Sequence, residues 1–108
     1  MAQFTLEEAL QMQRQLQEKY RDIWEPIGPE SAKNKLLWML GEAGEVIDIL
    51  KKTGGTEAGQ NAALRAQRTE ELADVLMYFG DVLLCCNISA EELGEAYRSK
   101  HARNLTSW

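Results

Sequence analysis

Apolar residues recur along this chain at helical spacing in four segments, and no segment of useful length alternates as a strand would. The first segment follows Thr5-Leu6-Glu7-Glu8, a capping box in which the threonine hydroxyl and the glutamate three residues on satisfy each other's free amides. Leu6, Ala9, Leu10, Met12, Leu16 and Tyr20 then supply the apolar positions of a helix expected to run to about Asp22. The stretch from Trp24 to Pro29 ends it. A second helix is expected from about Glu30 to Lys52, with Lys51 and Lys52 at its negative dipole end before Gly54-Gly55. Residues Thr56 to Gln67 are small and polar and read as a loop grading into a third helix from about Ala62 to Cys86. Ser89-Ala90-Glu91-Glu92 is a second capping box, opening a fourth helix to about Arg103. Four helices with short to medium connections predict an all-α four-helix bundle formed by a single domain, residues 1–108.

The faces of these helices carry the chemistry. On the second, Leu36, Leu40, Ala43, Ile47 and Leu50 form one apolar stripe, expected to be the core face, while Gly44, Asp48, Lys51 and Lys52 fill the solvent sector. Glu42 and Glu45 belong to neither, since their neighbours on the wheel are Trp38, Val46 and Ile49. Between Leu72 and Cys86 the charged residues are Asp74 and Asp81, and everything else except Tyr78 is apolar, Gly or Cys, so the third helix is expected to be buried nearly all round. Glu71, Asp74, Tyr78 and Asp81 share one ridge of it.

Glutamates spaced i,i+3 ordinarily decorate a solvated face. Two such acidic pairs among apolar residues are a different matter, because desolvating a carboxylate costs several kcal/mol and like charges one turn apart repel. A cation is the natural compensator, and an all-oxygen donor set points to a hard ion, Mg²⁺ or Mn²⁺.

Composition narrows the partners. Twelve Lys and Arg against 17 Asp and Glu give a formal charge of −5, so neither a nucleic acid polymer nor an anionic membrane surface is expected as a partner. The longest apolar runs, Leu36 to Leu40 and Val82 to Cys86, fall far short of the ~18 residues of a span. Glu7 and Glu8 stand where an export signal would be basic, which makes the cytoplasm the expected location. Cys85 and Cys86 are adjacent and expected to be free core thiols, and the lone His101 cannot build a Glu-x-x-His di-iron site or a zinc helix.

Glu42-Ala43-Gly44-Glu45, a spacer of 25 residues, and Glu71-Leu72-Ala73-Asp74 resemble the Glu-x-x-Glu, Glu-x-x-Asp signature of the MazG-like, all-α nucleoside triphosphate pyrophosphohydrolases. Leu40 to Val46 and Glu71 to Tyr78 look like that family's two core helices, and Lys100 with Asn104 looks like its C-terminal Lys and Asn, so the resemblance spans about residues 20–108. It implies Mg²⁺-dependent cleavage of a (deoxy)nucleoside triphosphate between the α and β phosphates, with Glu42, Glu45, Glu71 and Asp74 as catalytic metal ligands. It further implies that Lys100 and Asn104 contact the nucleotide, and that Trp24 and Asn34 lie near the base, joined by Tyr78 and by Asp81, which is equally readable as a satisfied buried acid. The histidine that accompanies the base region of dCTP-directed relatives is absent. The implied role is nucleotide-pool house-cleaning, and the implied assembly is a homodimer or a dimer of dimers. A phosphoribosyl-ATP pyrophosphohydrolase and a non-catalytic helical interaction module are the alternatives.

Overall fold

The computed structural model describes residues 3–53 and 61–107, and all regular structure there is helical. The expected Gly54-Gly55 stop and the loop from Thr56 to Gln60 lie outside the described residues. Helix α1 spans Leu6–Lys19, and Thr5 Oγ1 accepts from the Glu8 amide at 3.1 Å as the capping box requires. It stops before Asp22 because Tyr20 leaves helical geometry (φ −108°, ψ 21°) and its carbonyl accepts the amides of both Ile23 and Trp24. Pro29–Ser31 form a single 3-10 turn that leads into α2, Ala32–Thr53. Proline at the first helical position forfeits an amide that had no intrahelical partner to lose.

Helix α3 spans Ala62–Cys85, with the Asn61 side chain accepting from the amides of Ala63 and Leu64. It closes through Asn87 in the left-handed region (φ 56°), with the Ile88 amide donating to the Leu83 carbonyl at 2.9 Å, a Schellman-type end. Helix α4, Ala90–Ser107, starts from Ser89, whose Oγ accepts from the Glu92 amide. It outruns Arg103, whose carbonyl is taken by the Thr106 and Ser107 hydroxyls.

Helix α3 is the axis of the structure: α2 packs along it, α1 packs across it, and α4 touches α1 alone among the described elements. Leu10 of α1, Val46 of α2, and Leu83 and Cys85 of α3 are the buried apolar residues. The expected core stripe of α2 is not the core. Leu36, Leu40, Ile47 and Leu50 are between 39% and 57% exposed, and the ridge carrying Glu42 and Val46 is turned to α3 instead. Nor is α3 buried all round: Leu72, Leu76 and Met77 are exposed and full burial begins at Gly80. Cys85 is a free core thiol, but Cys86, at the helix cap, is exposed.

The cause is geometric. A helix with apolar residues on two sectors can bury one of them against one neighbour, and α2 has one long neighbour. The accessible surface of 8317 Å² exceeds the about 6,100 Å² expected of a monomer of this mass. The radius of gyration of 16.2 Å likewise exceeds the about 13 Å expected of a chain of this length. The small true core makes each of its members matter. Leu10→Ala is expected to lower unfolding free energy by about 2–5 kcal/mol, measured by urea denaturation.

Candidate metal and nucleotide site

Packing α2 along α3 brings Glu42 and Glu45, one turn apart on α2, against Glu71 on α3, so that one carboxylate oxygen from each lies within 4.8 Å of the others. Partial burial is the first cause that raises the pKa of Glu42, followed by the like charge of Glu45 and a carboxyl–carboxyl hydrogen bond with it, then by Asp74 and Glu71. Glu71 is raised in the same way, first by desolvation and then by the charges of Glu45, Asp74 and Glu70. Asp74 stands outside the triad but within reach of its field. Three hard oxygen donors crowded against mutual repulsion fit a small divalent cation, which would neutralise the charge that otherwise holds protons on them.

Beside the acids lies a cavity of about 410 Å³, inside the about 300–1,000 Å³ range of small-molecule sites. Asp74 and Tyr78 line its acidic side, and Trp24 and Trp38 contribute aromatic surface. The Trp24 indole is stacked on Tyr20 with ring centroids 4.6 Å apart and planes inclined by 23°, which fixes the ring that the cavity meets. Tyr78 lines the cavity, and its phenol is pushed up by burial first, then by the charges of Glu42, Asp81 and Asp74. On the cavity floor Asp81 is 3% exposed, and its Oδ1 accepts from Gln13 Nε2 at 2.9 Å and Gln17 Nε2 at 3.0 Å. The Lys35 ammonium lies 3.9 Å from Oδ2. Burial raises the Asp81 pKa, while the two amides and Lys35 pull against it.

Of the residues singled out by sequence, Glu42, Glu45 and Glu71 come together, and Asp74, Tyr78, Asp81 and Trp24 share the adjoining cavity. Asn34 does not line it; its Nδ2 donates to Glu25 Oε2 at 3.0 Å, and Glu25 is a cavity residue. Lys100 and Asn104 are exposed on α4, a helix that makes no contact with α2 or α3 among the described residues, so one chain does not bring them to this site. Gln13, Gln17 and Lys35 escaped the sequence reading. The signal was present: Lys35 sits one heptad before Glu42 on the same ridge of α2, and Gln13 and Gln17 continue the stripe that runs from half-buried Leu6 through buried Leu10.

Comparisons with family profiles, with curated proteins and with solved structures find no match.

The raised carboxyls fix a sign. Between the ordinary value of 4.5 and the higher folded value, the folded chain keeps protons that the unfolded chain has lost, so stability from these groups is full below the ordinary value and falls as pH rises through that window. In a chelator, melting temperature is expected to drop as pH is raised from 4.5, and Glu71→Gln is expected to flatten the decline, as read by a melt series.

Proposed function

We propose that this chain is a Mg²⁺-dependent nucleoside triphosphate pyrophosphohydrolase, with Mn²⁺ as a substitute ion, which releases pyrophosphate and leaves a nucleoside monophosphate. The observation that carries this is the meeting of three carboxylates from two packed helices beside an aromatic-walled cavity of nucleotide scale. An all-oxygen triad next to a pocket for a planar ring is what binding a nucleotide through a bridging cation requires. The resemblance of Glu42-x-x-Glu45 and Glu71-x-x-Asp74 to the MazG-like signature supports the same reading.

Glu42, Glu45 and Glu71 would hold the ion, with Asp74 between it and the cavity. A divalent cation there supplies Lewis-acid polarisation of phosphoryl oxygens and a lowered pKa for water. The residues themselves do the rest. The acids exclude an unaccompanied triphosphate by repulsion, so phosphate enters only with its cation. Tyr78 and Trp24 orient the nucleoside end, and Asn34 sets the Glu25 carboxylate at the cavity wall. Water adds at the α phosphorus, the bond to the bridging oxygen of the β phosphate breaks, and the proton lost by water passes to a carboxylate of the cluster.

A second copy of the chain belongs to the proposal. The apolar stripe Leu36, Leu40, Ile47 and Leu50 is continuous and exposed, and the surface in excess of a monomer's exceeds the about 800 Å² per partner of a standard interface. A homodimer, or a dimer of dimers, covers that stripe and offers Lys100 and Asn104 a route to a neighbour's phosphates.

Pyrophosphate release is expected with at least one of the eight common NTPs and dNTPs when Mg²⁺ is present, and phosphoribosyl-ATP in the same panel separates the histidine-synthesis alternative. Glu42→Gln and Asp74→Asn should each lower turnover by at least ~10²-fold with the helical circular dichroism unchanged. Near-wild-type rates in both would remove the metal assignment. Mg²⁺ is expected to raise the melting temperature of the wild type, and to leave unmoved the variant with Gln or Asn at Glu42, Glu45, Glu71 and Asp74. Light scattering should return two or four times the chain mass of 12.2 kDa, reduced by Leu40→Glu with Ile47→Glu.

A further inference from the structure

The cavity floor holds a buried cation for which the hydrolytic reading has no use. Lys35 is 6% exposed and lines the cavity, yet its ammonium makes no hydrogen bond among the described residues. Its ion-pair partner, Asp81 Oδ2, stands at 3.9 Å, beyond hydrogen-bond distance. An ammonium has three donors and no acceptor, and this one opens onto the cavity it lines, so its donors are available to a ligand there.

The side chain is also held in place. Gln13 and Gln17 of α1 both donate to Asp81 Oδ1, which leaves Oδ2 of this α3 residue toward Lys35 on α2. Three helices are thereby joined to set one donor on the floor of one cavity.

The rest of the lining says what that donor meets. Glu25, Asp74 and Asp81 are three carboxylates to one ammonium, a balance that repels phosphate and keeps it at the cation end. Trp24, Trp38 and Met77 offer apolar and aromatic surface suited to a planar, uncharged ring. The atom such a ring must give an ammonium is an acceptor. Guanine, cytosine, thymine and uracil carry a ring carbonyl oxygen; adenine's acceptors are ring nitrogens alone, and where guanine has its O6 oxygen adenine carries an exocyclic amine, which sets N–H against N–H for a donor placed to meet that oxygen.

We propose that Lys35 is the specificity-determining donor of the cavity, hydrogen-bonding a ring carbonyl oxygen of the nucleobase and discriminating against adenine, with Asp81, Gln13 and Gln17 as its positioning residues. This rests on the nucleotide reading above, and its test separates the two. Binding of non-hydrolysable α,β-imido analogues of dATP, dGTP, dCTP and dTTP is measured by calorimetry in Mg²⁺, with tripolyphosphate as a probe that has no base and free nucleosides as probes that have no phosphate.

The wild type is expected to bind at least one carbonyl-bearing analogue about tenfold or more tighter than the dATP analogue. Lys35→Met, which keeps the length of the apolar stem, should bring that ratio close to one without changing tripolyphosphate affinity. Lys35→Arg should restore part of it, and serves with Asp81→Asn if the methionine variant does not fold. A ratio unchanged in the Lys35 variants overturns the inference, as does an equal loss of tripolyphosphate binding, which would make Lys35 a phosphate ligand. If no triphosphate is hydrolysed but nucleosides bind in a Lys35-dependent way, the hydrolase reading fails and this inference stands. If no probe binds, both fail.

Discussion

Two packed helices share a single face, and in this protein the face shared by α2 and α3 carries carboxylates. Glu42 and Glu45 meet Glu71 where an ordinary helix pair would interdigitate leucines. The raised pKa values of Glu42 and Glu71 express the conflict: desolvation and mutual repulsion both favour the protonated form, so the contact opposes itself in the absence of a counter-charge. Everything else follows from how that conflict is accommodated. Val46 is buried next to Glu45 on α2, Leu83 and Cys85 are buried at the far end of α3, and between them Asp81 is buried with its two glutamine donors.

Much of this was legible in the chain. Both capping boxes form hydrogen bonds where Thr5 and Ser89 predicted them, the third helix starts at Ala62, and the acids at 42, 45 and 71 converge because their spacing puts each set on one ridge. Which ridge faced inward was harder to read. On α2 two sectors compete for one neighbour, and the wheel favoured the sector richer in leucine, whereas the structure turns Lys35, Glu42 and Val46 inward. Hydrophobic periodicity measures where apolar side chains lie on a helix, not which of two helices will cover them.

The buried polar network shows a second reason for what was missed. Gln13, Gln17 and Lys35 each look like residues of a solvated face when taken singly, since long polar side chains are rarely buried. Their burial makes sense only as a set: Asp81 needs donors once α1 closes over it, and the two amides come from the helix that covers it. A group whose burial depends on partners on two other helices cannot be scored from its own segment. Asp81 was visible as an anomaly on an apolar helix, whereas its partners were not.

The stripe left outward on α2 connects the fold to the proposed chemistry. Turning the acidic ridge inward obliges Leu36, Leu40, Ile47 and Leu50 to face away from α3, so the same rotation that assembles the triad exposes the apolar face. The two are one choice, because a helix cannot turn two sectors about 100° apart fully toward one neighbour. Water is a poor partner for that stripe at roughly 25 cal/mol per Å², and a second copy of the chain is the partner of matching chemistry always at hand. Helix α4, with Lys100 exposed, rests on α1 alone among the described elements and makes no contact with the helices that carry the acids of its own chain. In the proposed assembly it is the element free to serve a neighbour's site, which would tie dimerisation and completion of the site to a single property: the rotation of α2 about its axis.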